Sequence, residues 1–326
     1  MITVSAISEL SRHGLQRVAV ACGVFDGVHR GHQQLLAALR RTAGAAGLAR
    51  VVFTFEPHPR SVLQGSGPAP RRLTTPERKL LLLERYGAEA VVVQPFTPAL
   101  AALSPEEFLR TCLMAPGLRA EAICVGSDWR FGRGAEGTTA FLEGAGRQLG
   151  FRTVRVGEFD LYGKPVSSTR IRTALADGRL GMAARCLGRP YSVTGEVVRG
   201  RGVGARVLDC PTANLRPVEL LPHSGVYAAR GRLLDAAGRP AGPWDDGIAY
   251  VGSAPTFLDD ASAPVILEFH IFDLGQTLYG RRLEVAFAQF LRRDRRFSSP
   301  QALQHQMTSD LRHARAVLAE HRPPPD

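Results

Sequence analysis

Lysine is nearly missing from this chain. Of its 41 Lys and Arg residues only Lys79 and Lys164 are lysines, and neither stands in a GxxxxGK(S/T) arrangement. A Walker-type phosphate loop is therefore excluded. Aromatic residues make up 7%, with two tryptophans, so the arginines are not interleaved with stacking rings as in single-strand nucleic-acid binders. No apolar run approaches the roughly 20 residues of a membrane-spanning helix. The start "MITVSAISELSRHG" lacks a basic segment followed by an apolar one, so no secretory signal is read and a cytoplasmic protein is expected. The five cysteines, Cys22, Cys112, Cys124, Cys186 and Cys210, are odd in number and far apart. That spacing argues against a disulfide framework or a zinc site and for small buried hydrophobes in a reducing compartment.

What is present is a globular composition: 326 residues, 44% hydrophobic and 22% charged, enough for one large or two ordinary domains. The formal charge of +11 comes from arginines scattered through the chain, with short clusters at Arg40-Arg41, Arg71-Arg72 and "RRDRR" from Arg292. They read as solvated surface, with a few available to phosphorylated small molecules and no nucleic-acid partner expected.

The first half alternates continuous Val-rich runs with helix-period segments. The runs are "RVAVAC" (17–22), "VVFTF" (51–55), "AVVVQ" (90–94), "AICVG" (122–126) and "RTVRV" (152–156), a pattern of strands buried on both faces. Between them, "HQQLLAALRRTAGAAG" ends on glycine, and Thr75-Pro76 and Ser104-Pro105 open two further helices. This predicts a doubly wound, parallel α/β sheet whose ligands bind at the carboxyl ends of the strands. Residues 168–191 read as a helical linker. From Ser192 the runs shorten and alternate, punctuated by Gly and Pro, predicting antiparallel strands in a small β-barrel or sandwich. Ser299, Pro300 and the apolar face Leu303, Met307, Leu311 and Leu318 predict a C-terminal helix. The expected domains are 1–186 and 187–326.

The stretch "GVFDGVHRGHQ" (23–33) follows the first strand. Asp26, His29 and His32 could share one helix face and bind metal, but Gly23, Gly27 and Gly31 disfavour a continuous helix by about 1 kcal/mol each relative to Ala. Such glycines let backbone N–H groups approach a ligand, and a helix beginning near His32 offers its positive end to an anion. The imidazoles can then hydrogen-bond phosphate oxygens and favour charge on a leaving group. A phosphate cradle is the better reading.

"HRGH" after a parallel strand resembles the HxGH signature of the nucleotidylyltransferase superfamily. "FTFEPHP" (53–59), "GSDWRFG" (126–132) and "VSSTRIR" (166–172) follow in order. With the second half, they make the whole chain resemble the bacterial bifunctional riboflavin kinase/FMN adenylyltransferases, the FAD synthetases. The resemblance implies an N-terminal domain that joins FMN to the AMP part of ATP with release of pyrophosphate. It implies ATP contacts from Gly23, Phe25, Asp26, Gly31, His29, His32, Ser168, Thr169 and Arg170, with His29, His32 and Arg170 catalytic. Asp128 falls on the flavin side, beside Trp129 where the family usually has Phe. His58 is either a flavin contact or a scaffold hydrogen bond.

In the second half, "RGRGVGARVLDCPTANL" (199–215) combines Gly200, Gly202 and Gly204 with "PTAN", which resembles the riboflavin kinase signature. The resemblance implies a glycine-rich flap over ATP, with Thr212 and Asn214 organising Mg2+ and phosphate. In "VILEFHIFD" (265–273), strand alternation turns Glu268 away from Leu267 and Phe269. The resemblance makes Glu268 the general base for the riboflavin 5′-hydroxyl. Three positions depart from the family pattern: Asp209 replaces a Gly, Tyr250 an Asn, and Thr277 an acidic residue. They motivate an alternative in which only the adenylyltransferase works and the barrel binds a modified flavin. An Arg-rich RNA-binding protein is the third reading. The expected partners are the small molecules ATP, riboflavin and FMN, and the expected state is a monomer or weak homo-oligomer.

Overall fold

The computed structural model describes residues 1–63, 69–114, 116–199, 212–253, 265–273, 278–295 and 297–324. The chain divides into two compact units, 1–70 with 78–166 and 71–77 with 167–326.

In the first unit, the Val-rich runs become strands because β-branched side chains suit a pleated, buried surface. They are β2 (Arg17–Cys22), β3 (Ala49–Glu56), β4 (Ala90–Pro95), β5 (Arg119–Gly126) and β6 (Arg152–Val156), joined by a short β1 (Ile2–Val4). The order β1-β4-β3-β2-β5-β6 forms one six-stranded sheet, with every pairing parallel. The chain steps from β2 to β3 and β4, then returns to the other side of β2 for β5. This reversal creates the crevice where doubly wound sheets bind ligands. On one face Leu35, Leu36 and Leu39 of α1 (Arg30–Ala46) and Leu82 and Leu83 of α2 (Pro76–Arg85) cover Ala19, Ala21, Val52 and Val91. The other face buries Val18, Val20, Phe53 and Ile123 against Leu10, Phe108 and Leu142. Phe108 ends α4 (Pro105–Phe108), which follows the one-turn α3 (Pro98–Ala101), and Leu142 lies in α5 (Thr139–Leu149).

Several helix ends follow the sequence signals. Ser104 and Glu107 form a reciprocal capping box at α4, and Gly47 and Gly150 close α1 and α5 in left-handed backbone. Among the strands of this unit, the sequence pattern did not show β1, whose three residues are too few for a period, or the two-residue β7 (Asp160–Leu161) and β8 (Lys164–Pro165).

The second unit holds a closed six-stranded barrel, in the order β10-β13-β12-β11-β14-β9. Its strands are β9 (Ser192–Val198), β10 (Ala213–Leu215), β11 (Gly225–Leu234), β12 (Asp245–Ser253), β13 (Val265–Ile271) and β14 (Arg282–Arg292), all paired antiparallel. Closure leaves no unpaired edge, which settles barrel over sandwich. Val193, Leu215, Tyr227, Val251, Leu267, Phe269 and Phe287 are buried. Gly247 makes room for the Phe269 ring, whose nearest atom would lie 2.6 Å from an added Cβ. The segment 168–191 forms α6 (Ser168–Ala176) and α7 (Leu180–Leu187), helical as expected and packed within this unit. Ser299 caps α8 (Pro300–Glu320) by accepting the Ala302 N–H at 3.1 Å. Ala314, Val317 and Leu318 of α8 pack on Ala228 and Phe272.

Among the described residues Cys22, Cys112, Cys124 and Cys186 are buried and outside any disulfide. Burial pushes the Cys124 thiol up to about 11, so these are packing residues rather than nucleophiles.

Candidate active sites

The "GVFDGVHRGHQ" segment lies at the carboxyl end of the central strand β2. Its backbone is tightly wound: Phe25, Gly27 and Val28 have φ of 56, 81 and 40°. Non-glycine residues adopt this region at a cost of order 1–3 kcal/mol, and it recurs at functional sites. The loop is held by the Thr54 hydroxyl donating to Val24 O at 3.0 Å and the Gln33 amide donating to Val28 O at 2.9 Å. Asp26 is buried within it.

His29 is buried and caps α1, its Nδ1 accepting the His32 N–H at 3.4 Å. With Nδ1 an acceptor, the proton of the neutral ring resides on Nε2. His32 stacks on His29 with centroids 3.7 Å apart and planes at 17°, and Phe25 lies 5.0 Å away. A Cβ at Gly31 would sit 3.1 Å from His29 Cε1, so the glycine admits the ring. Burial, then His29 and the charge of Lys79, hold the His32 pKa well below the usual imidazole range. Its Nδ1 is buried and has no hydrogen-bond partner among the described residues. His32 is therefore held neutral at the helix N-terminus, where His29 presents Nδ1 as an acceptor.

Gly23, Phe25, Asp26, His29, Gly31 and His32 are thus brought together. Ser168, Thr169 and Arg170 occupy the first turn of α6, where Ser167 accepts the Arg170 N–H at 3.2 Å, and belong to the second compact unit. On the expected flavin side, His58 Nδ1 accepts the Arg60 N–H at 3.2 Å, so the scaffold bond is made. Asp128 is exposed after β5, with Oδ1 turned back towards Gly126. Trp129 stacks on Phe131 at 4.5 Å. Thr54 lies within "FTFEPHP" but was not singled out there, and Lys79 stood out only as one of two lysines.

In the second unit, barrel register builds a row. Asn214 on β10 lies opposite Glu268 on β13, and Glu268 lies opposite Tyr250 on β12. Directly paired residues share a sheet face, so the three side chains line up, while Leu267 and Phe269 are fully buried on the other face. Burial raises the Glu268 carboxyl above its ordinary pKa. The Tyr250 hydroxyl donates to Asp294 Oδ2 at 2.8 Å, which leaves the Glu268 carboxylate to its own chemistry. Thr212 is half-buried just before β10. Sequence patterning did not find β10, a three-residue strand, although it supplies Asn214. Gly200, Gly202, Gly204, Asp209 and Thr277 lie outside the described residues.

No cluster of three or more His, Cys, Asp or Glu suited to a metal occurs among the described residues. The side-chain oxygens of Thr212 and Asn214 are of the kind that suits a hard cation keeping most of its phosphate and water ligands, as Mg2+ does. No described helix is long and apolar enough to cross a membrane.

Comparison with known proteins gives each unit a counterpart. The FAD synthetase family model matches residues 11–170 and the riboflavin kinase model residues 187–318. The bifunctional riboflavin kinase/FMN adenylyltransferase of Escherichia coli K12 is 34% identical over 325 residues, covering 99% of this chain and 100% of that protein. Its counterpart from Pseudomonas fluorescens is 38% identical over 298 residues, covering 91% and 92%. A crystal structure described as a macrolide-efflux protein from Streptococcus pneumoniae has a TM-score of 0.81 at 28% identity, covering 97% of this chain and 99% of that one. The chain belongs to the bifunctional riboflavin kinase/FMN adenylyltransferase family.

Proposed function

We propose that the chain makes FMN and then FAD with two separate sets of residues, one in each half. The observation that carries this is the division of the two constellations between compact units: the stacked His29–His32 pair stands in one, and the Asn214–Glu268 row in the other. The functional halves are 1–186 and 187–326. Nothing in the comparisons favours the adenylyltransferase-only or RNA-binding readings.

In the adenylyl transfer, an FMN phosphate oxygen attacks the α-phosphorus of ATP. The bond from that phosphorus to the bridging oxygen breaks, and pyrophosphate leaves with its electron pair. The nucleophile is already anionic, so catalysis consists of alignment and charge stabilisation. Gly23, Phe25, Asp26 and Gly31 shape the cradle, and His29 and His32 donate to phosphate oxygens. Ser168, Thr169 and Arg170 serve ATP as the family resemblance implies, with Asp128 and His58 on the flavin side.

In the kinase reaction, the ionised Glu268 carboxylate takes the proton of the riboflavin 5′-hydroxyl as that oxygen attacks the γ-phosphorus, and ADP leaves. A base with a pKa nearer the working pH is better matched to this task. Asn214 and Thr212 would hold Mg2+, which when bound neutralises phosphate charge, and the family resemblance assigns Gly200, Gly202 and Gly204 to ATP. We place the enzyme in the cytoplasm as a monomer or weak homo-oligomer acting on small molecules, without nucleic acid.

Incubation with Mg-ATP and either riboflavin or FMN, followed by chromatographic separation of the flavins, tests this reading. FMN from riboflavin and FAD from FMN are expected. Absence of FAD from FMN contradicts the first half, and absence of FMN from riboflavin contradicts the second.

A further inference from the structure

Of the two lysines in a chain otherwise basic through arginine, Lys164 is exposed on β8. Scarcity alone therefore marks nothing. Lys79 is different: it is buried, on the inward face of α2 with Leu82 and Leu83, where the amphipathic pattern calls for an apolar side chain. An ammonium is costly to bury unless polar groups receive it. Here Nζ lies 3.4 Å from Phe55 O, 3.5 Å from Thr54 Oγ1 and 3.9 Å from Glu56 Oε2. These partners form the carboxyl end of β3, next to β2 in the parallel sheet.

Thr54 links the lysine to the phosphate cradle, because its hydroxyl donates to Val24 O. The charge on Lys79 is also felt at His32, whose imidazole it helps keep neutral. The cradle thus has a compact cation joined to it through Thr54. Adenylyl transfer brings two anions together, FMN phosphate and the ATP triphosphate, and the charge on the leaving pyrophosphate grows as the bond breaks. An ammonium suits this place because it is a compact point charge rather than a planar fork.

We propose that Lys79 is a phosphate-binding residue of the adenylyltransferase site, its ammonium joined to the cradle through the Thr54 hydroxyl. The assignment rests on the cradle being that site, and the experiment separates the two claims.

Lys79→Met keeps the apolar stem and removes the charge. In the full chain it is expected to lower FAD formation from FMN by about 100-fold or more, with riboflavin phosphorylation within about twofold of the parent. Lys79→Arg restores the charge with altered shape and recovers part of the loss. His32→Ala run in parallel distinguishes the failures. If His32→Ala is inactive while Lys79→Met makes FAD normally, the role of Lys79 is wrong; if both make FAD normally, the cradle itself is wrong.

The scarcity of lysine gives a second measurement on the unaltered protein, which stands even if Lys79→Met does not fold. Labelling with lysine carrying 13C at Cε yields two side-chain signals. Titration with inorganic pyrophosphate should shift the Lys79 signal saturably and leave that of Lys164 in place. A Lys79 signal that does not move on saturation with pyrophosphate overturns the proposal.

Discussion

Burial moves His32 and Glu268 in opposite directions for one reason: it disfavours whichever form carries charge. The imidazole is held neutral and the carboxyl is raised. The signs give two different pH profiles in one protein. Glu268 must be ionised to act as base, so riboflavin phosphorylation should fall as pH drops through a value above the ordinary 4.5 of a glutamate. FAD formation should show no loss near 6.5, the ordinary imidazole value, because His32 stays neutral there. Measuring both half-reactions from pH 5 to 8 checks this, and a shared acid limb would contradict it.

A second carboxyl gives a stability prediction. Glu219 is buried, and burial outweighs its bonds from Thr194 N–H and Oγ1 to raise its pKa from 4.5 to about 7. A raised folded-state pKa stabilises the fold most below the unfolded value, and that stability is lost as pH rises through about 7. The shift corresponds to roughly 3 kcal/mol. Glu219→Gln should remove this part of the pH dependence, so that its melting temperature relative to the parent rises between pH 5.5 and 8.5. A difference independent of pH would show that Glu219 does not titrate in that window.

At the scale of elements, legibility followed length and periodicity. The five Val-rich runs of the first sheet and the C-terminal helix carry enough residues to show a period. β1 and β10 have three residues each and show none, so the strand that sets Asn214 opposite Glu268 escaped the pattern even though "PTAN" was visible as a motif. Asp26, His29 and His32 were legible together because they lie in one loop. Lys79 is linked to that loop through Thr54, from a helix to a strand distant in sequence, which no local pattern encodes. Barrel packing was invisible for the same reason. Gly247 reads only as a glycine in a strand, yet an added Cβ there would press on the Phe269 ring and on the β13 backbone. Gly247→Ala should cost about 1–3 kcal/mol and lower the melting temperature of the barrel. The buried pair Arg232–Glu284, at 2.9 Å, is a further long-range feature. Glu284→Ala strands the guanidinium and should cost about 3–5 kcal/mol, measured by denaturant unfolding.

At the scale of the molecule, two compact units each carry one of the constellations proposed for the two reactions, and each has its own family counterpart. FMN is the product of one reaction and the substrate of the other. If each set of residues serves one step, a protein disabled in one should be completed by a protein disabled in the other. His32→Ala and Glu268→Ala, each purified alone and then mixed with riboflavin and Mg-ATP, give the most direct measurement. His32→Ala alone should accumulate FMN, Glu268→Ala alone should leave riboflavin unchanged, and the mixture should make FAD. Loss of both steps in either protein, or no FAD from the mixture, would contradict two independent sites.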